Sequence, residues 1–413
     1  MTSRQQGRRA VVTGLGVVAP NGVGADAFWK ATRQGVSVLD RITREGCDGL
    51  PLRVAGQVRD FDPRAAIDSR YLVQTDRFTH YAMAAADLAV ADAGFHPDPE
   101  HPFAVGVVTA AGSGGGEFGQ RELQQLWGKG PQFVGPYQSI AWFYAASTGQ
   151  ISIRGGYKGP CGVVASDEAG GLDALAHAAR TIERGTDAVV AGAAEAPLAP
   201  YSMVCQLGYP EVSLAGQPDR AYLPFTAQAC GFAPAEGGAM LLLEDEQAAR
   251  LRGAAVRAHL AGHGSTFTGA SRWEESREGL AAAIRIALDE ARIAPEEIDV
   301  VFADALGVPA ADRAEALALA DALGPAAERV PVTAPKSGTG RAYCGAPMLD
   351  VAAAVLAMED GVLPPTPNVT EVSHDLALVT GRARPAELRT ALVLSRGLMG
   401  SNSALVLRCG DRP

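Results

Sequence analysis

Residues 159–174, GPCGVVASDEAGGLDA, lead from a short apolar strand through a turn of small residues directly into a helix. The helix is predicted over residues 170–184, because an apolar stripe begins at Leu172 with i, i+3, i+4, i+7 spacing and Gly185 ends it. Backbone N–H groups and the helix dipole favour negative charge at such a turn, and proteins often hold nucleophiles there. The residue held here is Glu168, which follows Asp167. The two acids could also only complement the dipole.

The same order of elements recurs later in the chain. Residues 332–361 again run from a strand through a small-residue turn into an Ala-rich helix, about 170 residues after the first copy. A second repeated pair is a glycine-containing loop before a strand, at 231–243 and 397–407. Because strands alternate with helices throughout, we expect a layered α/β protein of two similar halves, residues 1–250 and 251–413.

Composition excludes several classes of protein. The 413 residues carry a formal net charge of −10, which repels phosphate backbones and argues against nucleic acid. No apolar run approaches the length of a membrane span, and the basic run at 4–9 is followed by too few apolar residues for a signal peptide. Six widely spaced cysteines without a CxxC pair predict reduced, mostly buried thiols. We therefore expect a cytoplasmic protein.

Two local patterns are weak indications of function. Residues 14–19, GLGVVA, match a dinucleotide-binding fingerprint, but Pro20, Asn21 and Gly22 follow where a helix would have to begin. We therefore predict a tight loop at a strand end and no nucleotide. His263 lies between two glycines with no neighbouring acid or cysteine, which favours a surface turn. No His/Cys spacing typical of a metal site is present, so no metal is expected.

Several long motifs in the right order resemble the β-ketoacyl synthases of the thiolase fold, over nearly the whole chain. They are RAVVTGLGVVAPNG at 9–22, AWFYA at 141–145, TGQISIR at 148–154, AGGLDAL at 169–175, DRAYLPF at 219–225 and VFAD at 301–304. Within that family the chain most resembles the chain-length factors (ketosynthase β subunits) of bacterial type II polyketide synthases. The resemblance implies a thiolase-like fold, with two pseudo-duplicated α/β halves in an αβαβα arrangement.

The resemblance also shows where the expected chemistry is missing. Glu168 occupies the position of the catalytic cysteine, Asp304 and Arg341 occupy the positions of the two catalytic histidines, and Lys336 is retained. Condensation needs a thiolate to carry the acyl chain and neutral N–H donors to stabilise the oxyanion. We therefore expect no condensation by this chain alone. Chain-length factors typically carry Gln at the cysteine position, so Glu168 departs from that pattern as well.

A partner would then supply the missing residues. The resemblance implies a heterodimer with an active ketosynthase α subunit, with a strand at 141–144 crossing the interface, and a substrate carried on the phosphopantetheine of an acyl carrier protein; this chain would need no cofactor of its own. The positions that line the far end of the product tunnel are Gly116, Gly119, Leu123, Tyr201 and Ser202. The two glycines would leave space for a long chain, with Leu123 and Tyr201 as the largest plugs. The alternative is that the glycines at 112–119 only form a mobile loop.

Two other functions stay open from the sequence. Glu168, with a pKa raised by burial, could assist decarboxylation of malonyl-carrier protein to prime the chain. Burial opposes ionisation of this carboxyl and the helix N-terminus favours it, and the sequence does not rank the two. The chain could also be a scaffold or homodimer without a synthase partner.

Overall fold

The computed structural model describes residues 7–269 and 272–410. The basic run at residues 4–9 begins outside the described residues. The strands are β1 Ala10–Ala19, β2 Gly22–Val23, β3 Asp40–Arg41, β4 Val54–Ala55, β5 Val105–Ala110, β6 Cys161–Val164, β7 Ala188–Glu195, β8 Gly237–Asp245, β9 Ala258–Phe267, β10 Val300–Phe302, β11 Pro331–Thr333, β12 Val362–Leu363, β13 Ala377–Leu378, β14 Arg384–Pro385, β15 Thr390–Arg396 and β16 Ser401–Cys409. The α-helices are α1 Ala25–Arg33, α2 Pro63–Ala66, α3 Ser69–Leu72, α4 Arg77–Asp92, α5 Gly116–Lys129, α6 Gln138–Ala141, α7 Ala146–Gly155, α8 Gly170–Glu183, α9 Pro200–Gln206, α10 Glu246–Leu251, α11 Ser276–Ala291, α12 Pro309–Leu323, α13 Lys336–Thr339 and α14 Gly345–Asp360.

The central sheet contains one strand pattern twice. In the first half the order is β6-β5-β7-β8-β1, and in the second it is β11-β10-β15-β16-β9. In both halves the first two pairings are parallel and the last two are antiparallel. The halves join where β1 pairs with β9, with Val11 opposite His259. The predicted duplication is confirmed.

The helices place the two halves in five layers. Helix α8 packs on β5 and β7 of the first half and on β9 and β16 of the second, while α14 packs on β8 and on β15. Helix α4 covers the outer face of the first half, and α11 covers that of the second. Because α14 lies between two sheets, it is buried on nearly every side and is apolar almost all round. The αβαβα arrangement is confirmed.

The GLGVVA segment is not a loop. It lies inside β1, which continues to Ala19, so the prediction of a tight loop at the strand end is wrong. A Cβ at Gly14 would lie 2.0 Å from the carbonyl oxygen of Ala89, and one at Gly16 would lie 1.9 Å from that of Ala85. The glycines therefore allow the backbone of α4 to lie directly against the strand.

Three further predictions about local structure are wrong. Residues 141–144 form the end of α6 and a turn, not a strand. His263 lies within β9 opposite Leu405, where strand pairing replaces the expected surface turn. All six cysteines are free, but only two are buried, and three are exposed: Cys161, Cys205 and Cys230. Among the described helices, none has the length and apolar character needed to cross a membrane.

Candidate functional site

Four positions singled out from the sequence meet in the interior of the protein. Glu168 lies in the turn between β6 and α8, and Asp304 lies just after β10. Lys336 is the first residue of α13, and Arg341 follows that helix by two residues. The side chains of all four are essentially inaccessible to solvent. The structure therefore brings together the four positions that the resemblance singled out.

Arg341 is the centre of this group. Its Nε donates to Glu168 Oε2 at 2.8 Å, and its Nη2 donates to Asp304 Oδ1 at 2.8 Å. Its Nη1 donates to the Asp304 carbonyl at 3.0 Å, and Nη2 also reaches the carbonyl of Arg396 at 2.6 Å. The planar guanidinium fork thus links two carboxylates and two backbone carbonyls in one geometry.

A second arginine, which the sequence reasoning missed, completes the cluster. Arg396, at the end of β15, donates from Nε to Asp304 Oδ2 and from Nη2 to Glu315 Oε2, both at 3.0 Å. Its backbone N–H also donates to Asp304 Oδ1 at 2.9 Å. A signal was present in the sequence, because Arg396 ends an otherwise apolar strand and Glu315 interrupts the Ala/Leu pattern of α12. Buried charges are rare unless they are paired.

Lys336 holds the backbone beside this cluster. Its Nζ donates to the carbonyl of Ala303 at 2.9 Å and to that of Asp304 at 3.2 Å. It also forms an ion pair of 2.5 Å with Asp350 on α14. The retained lysine therefore fixes the chain at Asp304, even though no histidine is present there to be positioned.

The cluster has one more carboxylate than guanidinium groups. Glu168, Asp304 and Glu315 face Arg341 and Arg396. Burial opposes ionisation of Asp304, but Arg341, Arg396 and Lys336 together lower its pKa to about 2. Burial raises the pKa of Glu168 to about 7 in spite of Arg341. Glu168 Oε1 has no hydrogen-bond partner among the described residues, so a proton on this oxygen would break no bond of the cluster.

The guanidinium of Arg341 is engaged within this arrangement. Its Nε and Nη2 groups donate to Glu168, Asp304 and Arg396. Within the described residues, the carboxylate of Glu168 bonds to Arg341 and to no backbone N–H of α8. Glu168 is therefore an ion-pair partner in the interior, just before the N-terminus of α8.

The five positions expected to line the tunnel lie on two helices that pack together. Gly116, Gly119 and Leu123 belong to α5, and Tyr201 and Ser202 belong to α9. The backbone N–H of Tyr201 donates to Gln120 Oε1 at 2.7 Å, which ties the two helices. The side chains of Leu123 and Tyr201 are 40% and 54% exposed in the isolated chain.

One side chain, that of Ser202, borders the space beside Gly116. A Cβ at this position would lie 2.1 Å from Ser202 Oγ, so the missing side chain allows α9 to lie close to α5. Gly119 differs, because a Cβ there would make an ordinary contact of 3.7 Å with Trp142 Cβ.

Two buried carboxylates hold α5 and the loop before it. Asp76 accepts a hydrogen bond from the N–H of Phe118 on α5 at 2.6 Å and one from the N–H of Phe78 on α4 at 3.2 Å. Glu195 accepts from the hydroxyl of Ser113 at 2.5 Å and from its N–H at 3.3 Å. Burial raises the pKa of both carboxyls to about 7. Residues 112–115 form a loop that Glu195 anchors, and residues 116–119 belong to α5.

An exposed apolar surface surrounds these helices. We call it the aromatic face; its side chains are Leu123, Trp127, Tyr137, Ile140, Trp142, Phe143, Tyr144, Ile153, Tyr201 and Val204. The nearby strand β6 is partly exposed and, among the described residues, pairs only with β5. An uncovered strand edge and a large apolar surface are both typical of protein interfaces.

Fold and site together define a duplicated αβαβα protein with a buried ion-pair cluster in its interior. The family models of the β-ketoacyl synthase N-terminal and C-terminal domains match residues 7–249 and 257–370. A Streptomyces coelicolor relative named "Putative polyketide beta-ketoacyl synthase 2" is 73% identical over 407 residues, which is 98% of this chain and 96% of the relative. The chain belongs to the β-ketoacyl synthase family.

Two solved structures share the whole fold. The ishigamide ketosynthase/chain length factor has a TM-score of 0.87 and 29% identity, with 97% of this chain and 99% of that chain covered. A type II polyketide synthase acyl carrier protein in complex with its ketosynthase bound to the hexaketide also has a TM-score of 0.87 and 29% identity, with 98% and 100% covered.

Proposed function

We propose that this chain is a non-condensing chain-length factor, which pairs with an active ketosynthase α subunit and sets polyketide length in a type II polyketide synthase. The observation that carries the proposal is the Glu168–Arg341–Asp304 ion-pair cluster, in which every group that would have to react is instead bonded within the protein. The chain keeps the fold of the family but has an ion pair where the resemblance places the catalytic residues. This combination fits a structural role beside an active partner.

The partner would dock on the edge strand β6 and the aromatic face. Support comes from their joint exposure in the isolated chain and from the ishigamide structure, which is that of a ketosynthase/chain length factor. An interface of this kind buries aromatic side chains at its centre. The scaffold or homodimer alternative leaves the lost catalytic residues without an explanation.

The substrate would be an acyl chain on the phosphopantetheine of an acyl carrier protein, delivered at the partner's entrance. The neighbouring structure of a carrier protein with its ketosynthase supports this route. This chain would bind no cofactor of its own and would work in the cytoplasm. We also propose the division into halves at 1–250 and 251–413, supported by the end of β8 at Asp245 and the start of β9 at Ala258.

The tunnel end would be formed by Gly116, Gly119, Leu123, Tyr201 and Ser202. Leu123 is the most useful position to change, since Gly116 is already in contact with Ser202. Leu123→Trp should shorten the product and Leu123→Ala should lengthen it. Gln124→Trp places the same side chain about 100° further round α5 and is the matched control.

The experiment is reconstitution of this chain with a ketosynthase that has its Cys-His-His set, with mass analysis of the products. We expect no condensation by the chain alone, a defined product from the pair, and altered length only with the Leu123 variants. Condensation by the unaccompanied chain would overturn the proposal, and product lengths that follow Gln124→Trp instead of Leu123→Trp would overturn the tunnel assignment.

The same reconstitution tests the priming function of Glu168. Its raised pKa favours a proton-transfer role, but its side chain is fully buried and Oε2 is bonded to Arg341. We therefore expect acetyl-carrier protein to form at the same rate with the wild type and with Glu168→Ala. A slower rate with the variant, at equal yield of the folded pair, would establish the enzymatic role instead.

A further inference from the structure

A cavity lies at the end of α8 opposite to Glu168. It has a volume of about 700 Å³ and is formed by the last turns of α8 and α11, the first half of β9 and the end of β16. The α8 residues that line it run from Ala176 to Glu183, so they lie about 12 to 22 Å along the helix from Glu168. None of the residues of the aromatic face lines it. The cavity is therefore separate from both the catalytic position and the proposed interface.

Positive charge is concentrated in this cavity. Four arginines line it, Arg9, Arg180, Arg292 and Arg408, against two carboxylates, those of Glu183 and Glu290. The only side-chain ion pair of any of these arginines within the described residues is the 3.7 Å contact of Arg408 with Glu297. In a chain with a net charge of −10, unpaired arginines that converge on one concavity are unusual.

Helix dipoles account for only part of this charge. Arg180 lies in the last turn of α8 and Arg292 follows the last residue of α11, where a cation is favourable by about 0.3–1 kcal/mol. Arg9, before β1, and Arg408, in β16, lie at no helix end. Their convergence from four separate elements therefore indicates a ligand.

The wall of the cavity is apolar and firmly built. It includes Ala176, Ala179 and Leu260, and His263 lies at its inner side. The ring Nε2 of His263 lies 3.0 Å from both Asp173 Oδ1 and Ser403 Oγ, and its backbone N–H donates to Glu290 at 2.5 Å. These contacts fix the wall and engage one of the two lining carboxylates, that of Glu290, and the four arginines exceed the two acids by two charges.

We propose that this cavity binds a small organic phosphate, that is, a molecule with two or more phosphoryl charges and an apolar or planar portion. Guanidinium groups bind phosphoryl oxygens in two-point geometry, and the apolar wall offers a surface for the rest of the molecule. The volume is within the range of small-molecule sites. The proposal does not depend on the synthase function, because it uses none of the same residues.

The test is calorimetric titration of the chain, co-purified with its synthase partner, with pyrophosphate, ADP and coenzyme A at low ionic strength. We expect saturable binding, tighter for the two organic phosphates than for pyrophosphate and weaker as salt is added. Arg180→Gln and Arg292→Gln should each weaken binding about tenfold. Arg184→Gln removes the same charge just beyond α8, outside the cavity, and should leave binding unchanged.

Three results would overturn the proposal. They are the absence of saturable binding of all three compounds, an equal loss with Arg184→Gln, and displacement of bound ADP by acyl carrier protein in a way that depends on Arg180. The last result would identify the cavity as part of a surface that docks an acidic protein. Circular dichroism of each variant separates loss of binding from loss of folding.

Discussion

Removing Arg341 should be far more damaging than removing the charge of Glu168. Arg341→Met leaves Glu168 Oε2 without its donors and Asp304 Oδ1 without the bond from Nη2, both in the interior. Breaking a buried pair in this way costs about 3–5 kcal/mol in the free energy of unfolding. Glu168→Gln keeps an oxygen for Arg341 Nε and removes the one excess negative charge of the cluster. We therefore expect that variant to change stability by about 1 kcal/mol or less.

The double variant separates charge from packing. Glu168→Gln in the Arg341→Met background replaces an unpaired carboxylate by a neutral amide, so it should recover about 1–3 kcal/mol. Urea unfolding at fixed protein concentration, monitored by tryptophan fluorescence, gives the four free energies of unfolding that the double-mutant cycle compares. Trp273 is a suitable reporter, since the guanidinium of Arg396 lies 5.4 Å from its ring centroid. Equal losses for the two single variants, or an additive double variant, would refute the ion-pair reasoning.

Three further predictions test other parts of the structure. The pKa of Glu195 is raised from 4.5 to about 7, so between these pH values the folded state binds a proton that the unfolded state has released. The resulting contribution to the free energy of unfolding is complete below pH 4.5 and falls as the pH rises towards 7. This pH dependence should disappear from urea titrations of Glu195→Gln. Asp76→Ala frees the N–H groups that join α4 to α5 and should broaden the distribution of product lengths in the reconstituted pair, whereas Asp62→Ala, at the cap of the short helix α2, should not. Gly16→Val would force its Cβ into the Ala85 carbonyl and should abolish soluble expression, while Val17→Ala on the same strand should be tolerated with a loss of stability only.

The elements of the fold could be predicted where the sequence is periodic. Helix α8 was predicted over 170–184 and ends at Glu183, because an apolar stripe with a terminal glycine has few other interpretations. The sequence predicts a loop at residues 14–19, because Gly14 and Gly16 are typical of loops, whereas β1 continues to Ala19. These two glycines allow the backbone of α4 to pack against β1, and only the tertiary structure shows this contact.

The sequence predicts which residues form much of the site, but it does not predict how their side chains bond to one another. Family resemblance identified Glu168, Asp304 and Arg341 as altered positions, yet nothing in their spacing says that the three side chains bond to one another. Arg396 was missed because its role depends on strand order, which places the end of β15 beside Asp304. Charges within apolar segments are the signal that should be followed first.

The two ends of the central sheet are not alike. In the second half the short strand β13 pairs in parallel with the outer side of β11, the strand equivalent to β6, whereas β6 has no strand on its outer side within the described chain. A duplicated sheet with both ends bare could add copies head to tail without limit and form fibres. The two end strands of the described sheet differ in length, four residues in β6 and two in β13, so a strand that adds at β6 meets the longer edge.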